Sequence, residues 1–145
     1  MDKKKIKIIL VIVGVFLLVV ITNFLTNNNL VGPEKILTLK IEEAQTSAEQ
    51  ARGLSGRMSL GEDEGMLFIF SPPTTPSFWM KEMNFPLDLI WLDHNYHVLG
   101  MEKSLPPDSY PKLFLPPAPV SYVLEVNAGY AARHGINVGD TLVFH

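Results

Sequence analysis

Between Pro76 and Asp93 the chain reads PSFWMKEMNFPLDLIWLD, which gathers both tryptophans, Trp79 and Trp91, around one lysine and three carboxylates. Side chains alternate on a strand, so Trp79 and Lys81 would share one face and Phe78 and Met80 the other. Further on, Leu87, Leu89 and Trp91 point one way and Asp88, Ile90 and Leu92 the opposite way, which leaves Asp88 among large aliphatics. A carboxylate in that setting must be paired, lie at a rim, or hold its proton more tightly than usual. Glu125 is similarly placed, sharing a face with Val123 and flanked by Leu124 and Val126. The cations within reach in the sequence are Arg52, Arg57 and Lys81.

Two chemistries fit this set. In the first, Arg52, Lys81, Asp88 and Glu125 surround a cleft walled by Trp79 and Met80, where the arginine takes an anionic or hydroxyl-rich ligand and the indole stacks on a sugar ring. Asp88 and Glu125 are then candidate catalytic carboxylates of a glycan-modifying enzyme, retaining at a separation of about 5–5.5 Å and inverting at about 6.5–9.5 Å. In the second, Arg52 bridges Asp88 or Glu125 structurally and the tryptophans fill the core. Covalent hydrolysis lacks its parts: Ser77 and Lys81 stand four apart rather than three, and there is no Gly-x-Ser-x-Gly motif or Gly-rich phosphate loop. His94 and His97 lie beside Asp93 without a third ligand at zinc spacing, the acidic run at Glu62–Glu64 lacks the calcium-loop pattern, and cysteine is absent. Neither a metal nor a cofactor is expected.

The elements that would position these groups begin after an apolar leader. Ile6 to Leu25 contains sixteen Val, Ile, Leu or Phe residues in twenty, enough helix to cross a hydrocarbon layer of roughly 30 Å. Lys3, Lys4, Lys5 and Lys7 precede it and no basic residue follows until Lys35, which keeps residues 1–5 in the cytoplasm and sends the rest outward. The expectation is a single-pass signal anchor over 6–25, a tether over 26–33 and an extracytoplasmic domain over 34–145; the absence of an Ala-x-Ala site favours retention over secretion after cleavage. Residues 1–25 hold four lysines and Asp2, and without them eight basic side chains face 14 acidic ones, a charge of about −6. That balance argues against nucleic acid as a partner.

Within the domain, alternation predicts a first strand over Ile36–Glu42, and Ser47-x-x-Gln50 a capping box opening a short helix that Gly53 and Gly56 stop. GMLFIF, SFWMK, LDLIWLD and Tyr96–Lys103 follow as strands. Ser104–Pro119 carries six of the eleven prolines, too many for a central strand, interleaved with enough apolar residues to lie over the core. Val120–Asn127 is the next strand, with Asn127 capping a second short helix ended by Gly135, and a last strand closes the chain. Short strands with frequent turns predict a mainly β (α+β) domain, a small and mostly antiparallel β-barrel or β-roll with two short helices.

ARGLSGR, GMLFIF, FWMKEMNFPLDLIWLD and VLEVNAGYAARHGINVGDTLVF, in that order over Ile36–Phe144, resemble the bacterial and archaeal family of unknown function called DUF192 or UPF0127. The resemblance implies a compact β-rich, often exported domain without an established activity. It departs at Glu82 and Met83, where the family carries Asn-Thr. The combined expectation is a membrane-anchored module that binds a ligand, carbohydrate included, or an envelope partner without catalysis, through Arg52, Trp79, Lys81, Asp88 and Glu125. The alternatives are the glycan-modifying enzyme and a structural or assembly protein of the envelope.

Overall fold

The computed structural model describes residue 2, residues 12–22 and residues 32–145. Residues 12–22 form a helix, α1. No helix among the described residues is long and apolar enough to cross a membrane. The rest of the expected 6–25 span, with most of the N-terminus and of the 26–33 tether, falls outside the described residues.

From Gly32 onward the chain forms one unit built on the strands β1 (Glu34–Leu37), β2 (Lys40–Ala44), β3 (Glu64–Thr74), β4 (Leu87–Leu92), β5 (Val98–Leu105), β6 (Val120–Asn127) and β7 (Thr141–Phe144). Its helices are α2 (Ser47–Arg52) and α3 (Tyr130–Arg133), with one 3-10 turn at Pro107–Ser109. Five strands make an open sheet in the order β2-β3-β6-β4-β5, and β1 pairs with β7 in a separate ribbon. The domain is therefore mainly β, as the patterning implies, but its sheets do not close into a barrel. The reason lies at Thr38 and Leu39: the single expected strand over 36–42 breaks there, so that β1 joins β7 in parallel while β2 runs parallel to β3. The other three pairings of the large sheet are antiparallel.

All six residues of β4 are buried, so this strand is covered on both faces. One face carries Phe68, Phe78, Leu89, Trp91 and Val123, and the other Leu67, Ile90, Leu92, Leu124 and Tyr130. The Ser77–Lys81 stretch is not a strand. It meets the sheet's covering layer only at the bridge Phe78↔Phe114, and Glu82 follows with φ 57°, turning the chain back before a second bridge can form. The Pro-rich segment lies down as expected, with Phe114 and Val120 buried.

Helix capping also differs from the sequence pattern. The box on α2 is Thr46 and Glu49, one residue earlier than Ser47 and Gln50: Thr46 Oγ1 accepts from Glu49 N at 3.2 Å, and Glu49 Oε2 accepts from Thr46 N at 2.8 Å. Asn127 does not cap α3. It ends β6 and donates through Nδ2 to the carbonyls of Leu60 and Gly61, while the helix N-terminus receives a carboxylate from a different strand.

Candidate functional site

That carboxylate is Asp88. It is fully buried, and its Oδ2 accepts from Ala131 N at 3.0 Å while Oδ1 accepts from Ser104 N at 2.8 Å. Ser104 has φ 54°, and the bond to Asp88 holds its amide in that uncommon conformation. With an amide on each oxygen and an exposure of zero, Asp88 joins β4, β5 and α3. It is a structural tie and faces no cleft.

Glu125 has a different fate. In the β4–β6 register it lies opposite Leu89, whereas Asp88 lies opposite Val126, so the two carboxylates project from opposite faces of one sheet. No catalytic pair forms between them, because a strand's alternation puts a layer of backbone between odd and even neighbours. Glu125 is 6% exposed and its Oε2 has no hydrogen-bond partner. Burial raises its pKa to about 8 against a smaller opposing pull from Arg57, so the side chain is mainly a neutral acid at pH 7, able to donate a hydrogen bond.

With Oε2 itself covered by the residues around it, Glu125 borders a cavity of about 200 Å³. Three local structures build its walls. Gly53 ends α2 with φ 49° and ψ −134°, a conformation that side chains with a Cβ adopt at a cost, and a Cβ there would come within 3.2 Å of the Phe68 ring. The loop after it is fastened to the 80–83 turn by Ser55 Oγ donating to Lys81 O at 2.9 Å and Gly56 N to Glu82 O at 2.8 Å. Gln50 Nε2 ties α2 to β3 by donating to Ile69 O at 2.7 Å. Phe78 stands edge-on to Phe68 at 4.8 Å and to Trp91 at 5.5 Å between ring centroids, which fixes the third wall.

The lining is thus Phe68, Phe70, Phe78, Trp79, Leu54 and Met83 around Glu125, with Arg52 and Ser77 at the exposed edge. Arg52 borders this cavity and a smaller depression that holds Glu42, Glu43 and Glu49. Its side chain makes no hydrogen bond or ion pair among the described residues. Arg57 is engaged instead, with Nη2 at 2.7 Å from both oxygens of Glu42. Among the described residues no group of three metal-ligating side chains converges.

Of the residues singled out in the sequence, Arg52, Trp79 and Glu125 come together here. Trp79 is 42% exposed and presents its indole at the mouth. Lys81 points away into solvent, 3.9 Å from Glu82 Oε1, and Met80 is packed in the core. Phe68, Phe70, Leu54 and Met83 are the lining residues that inspection of the sequence misses. The only signal for Phe68 and Phe70 is the parity they share with Met66, and it points to Glu125 only once Met66 is known to pair with that residue.

A small open mixed sheet, with a helix-loop layer sealing a buried acid against aromatic rings, defines the class of protein. Residues 30–144 match the family profile DUF192, Uncharacterized ACR, and the chain belongs to that family. A protein of unknown function from Novosphingobium aromaticivorans is similar at 40% identity, over 68% of this chain and 70% of that one, with a TM-score of 0.64. A Sinorhizobium meliloti protein, described as a candidate transcription regulator, is similar at 32% identity over 70% and 78%, with a TM-score of 0.67. No curated protein gives a significant match.

The structure also gives the Glu82 departure a meaning. The left-handed φ of 57° at Glu82 is a conformation that Asn adopts more readily than Glu. The turn that Glu82 makes leads to Met83 at the cavity wall.

Proposed function

We propose that the domain binds a small polar ligand, a saccharide unit being the best fit, and that it does so without catalysis. The observation that carries this reading is Glu125: a buried acid with one covered, unpartnered oxygen, bordering an aromatic-walled cavity. A site of about 200 Å³ falls below the roughly 300–1,000 Å³ that holds drug-sized molecules, so it suits one ring or the end of a longer chain. Trp79 offers a stacking face, Glu125 a donor for a hydroxyl or carbonyl oxygen, and Arg52 a guanidinium without a partner among the described residues. Among the described residues a single acid, with no base or metal set beside it to activate the serine hydroxyls of the lining, supports binding rather than turnover.

The apolar span over 6–25 supports retention of the domain at a membrane, with residues 34–145 on the extracytoplasmic side. The acidic balance of the domain argues against carrying over nucleic-acid regulation from the Sinorhizobium relative. A second reading, an envelope-protein partner, is favoured by a different observation: the Phe78↔Phe114 bridge turns Trp79, Leu113 and Leu115 outward, and all three are exposed.

The test is a thermal-shift panel on the full-length chain in mild detergent, with neutral, acidic and amino sugars, peptidoglycan fragments and simple anions. A saccharide should raise Tm in the native chain and not in Trp79→Ala. Silence across the panel would sink the ligand reading. Protease accessibility in right-side-out and inverted vesicles tests the topology, with the domain degraded only in the former.

A further inference from the structure

The ligand class can be narrowed, on the premise that the cavity is the binding site, because the two ionisable groups that line it, Arg52 and Glu125, impose opposite demands. Arg52 at the mouth is cationic and has no partner among the described residues. Glu125 at the floor is 6% exposed, with Oε2 unsatisfied. A positively charged ligand would have to pass the guanidinium. A fully anionic one reaching the floor would lose its hydration against aromatic rings with only a carboxyl beside it. The geometry points to a ligand with two distinct ends: an acidic saccharide whose carboxylate stays at the mouth on Arg52, while a neutral hydroxyl or carbonyl oxygen accepts a hydrogen bond from Glu125.

The surroundings of Glu125 leave that division undisturbed. The strands beside it place Met66 and Leu89 opposite, and the covering segment contributes Ser77 and Phe78; none of these titrates in the working range. The charged group that acts on it among the described residues is Arg57, which Glu42 holds, while Arg52 from α2 borders the same cavity. The proton on Glu125 is therefore the one the ligand uses. Because burial sets its pKa at about 8, the donor is present at pH 6–7 and is lost on the alkaline side. Binding that needs the neutral acid then weakens by about tenfold per pH unit above that value.

The experiment titrates the full-length chain in detergent with glucuronate, glucose and glucosamine, reading the fluorescence of Trp79 against a Trp79→Phe control. At pH 6.5 glucuronate should bind about tenfold tighter than glucose, the increment expected of one charge-assisted hydrogen bond, and glucosamine should bind weakest. Arg52→Ala should bring glucuronate down to the level of glucose. Glu125→Gln, which keeps a donor that does not titrate, should bind glucuronate at pH 6.5 and lose the alkaline decline. If glucose binds as well as glucuronate and Arg52→Ala changes nothing, the acidic-ligand inference is overturned while the cavity remains a binding site. If glucosamine binds best, with affinity rising toward pH 9, the polarity has been assigned backwards. If no sugar alters the fluorescence at any pH, the binding reading itself fails, and this inference with it.

Discussion

The buried acid makes a stability prediction that needs no ligand. An ordinary glutamate titrates at 4.5, whereas Glu125 in the folded chain does so at about 8. Between those values the unfolded chain carries the group ionised and the native chain carries it protonated, so folding takes up a proton. Unfolding free energy then falls with rising pH, by about 1.4 kcal/mol per unit. The group's contribution is most favourable below pH 4.5 and reaches its floor above about 8, a total loss of about 5 kcal/mol across the window. Glu125→Gln removes the titration and leaves an amide in the same space, at a constant cost of about 1–3 kcal/mol if its donors find no partner. The native chain should therefore be the more stable at pH 4.5, the two curves should cross between about pH 5 and 7, and above pH 8 the variant should lead by about 2–4 kcal/mol. Urea denaturation at constant ionic strength, followed by the fluorescence of buried Trp91, measures both curves. Carboxylates that hydrogen bonds hold below their ordinary range, such as Asp93 and Glu49, titrate alike in both proteins and cancel in the difference. Parallel curves from pH 5 to 9 would show that Glu125 is ionised or hydrated in the native state, and the account of the cavity floor would fall.

Asp88→Asn retains one acceptor for two buried amides, so it should cost about 1–3 kcal/mol in urea denaturation while leaving ligand titrations unchanged; an effect confined to binding would contradict its structural assignment. Gly53→Ala forces a Cβ into a left-handed position 3.2 Å from the Phe68 ring, with an expected loss of about 1–3 kcal/mol and weaker binding, since the same ring lines the cavity. Glu82→Asn relieves the positive φ and should raise stability by about 0.5–1 kcal/mol, read as a higher urea midpoint at an unchanged m-value. Thr46→Ala removes the N-cap of α2 and should cost about 1 kcal/mol, with hydrogen exchange quickening first at the amide of Glu49, which Thr46 Oγ1 accepts.

Local signals were legible in the sequence wherever the chain's own period decided the outcome. LDLIWL is a strand, as its apolar composition indicates, and VSYVLEVN is a strand over the very residues its alternation indicates. Signals failed where two neighbouring patterns competed. Thr46-x-x-Glu49 and Ser47-x-x-Gln50 both read as capping boxes, and the acidic side chain wins because a carboxylate accepts the amides of both Thr46 and Gln45, where an amide group is the weaker acceptor. SFWMK has strand composition but only one bridging partner, Phe114, so that tertiary supply of hydrogen bonds overrides propensity. Barrel closure was beyond reach for a related reason. Nothing in KILTLKIEE states that the chain changes sheets at Thr38 and Leu39, since both halves keep the same alternation.

The site shows the same limit in a sharper form. Asp88 and Glu125 look equivalent in sequence: each is a lone carboxylate on an apolar strand, each beside β-branched or aliphatic neighbours. Parity assigns each to a face of its own strand, yet it is silent on which faces coincide until the register between β4 and β6 is known. That register places Asp88 opposite Val126 and Glu125 opposite Leu89, and from it the two fates follow. On one face a helix begins and a strand amide turns inward, supplying two donors that fully satisfy Asp88. On the other the covering layer is a loop and aromatic rings, which supply bulk but no donor for Glu125 Oε2. A carboxyl group with donors becomes a structural joint; one surrounded by rings keeps its proton and an unpartnered oxygen. The difference between the two acids is thus set by what each face of one sheet is covered with, not by the strands that carry them.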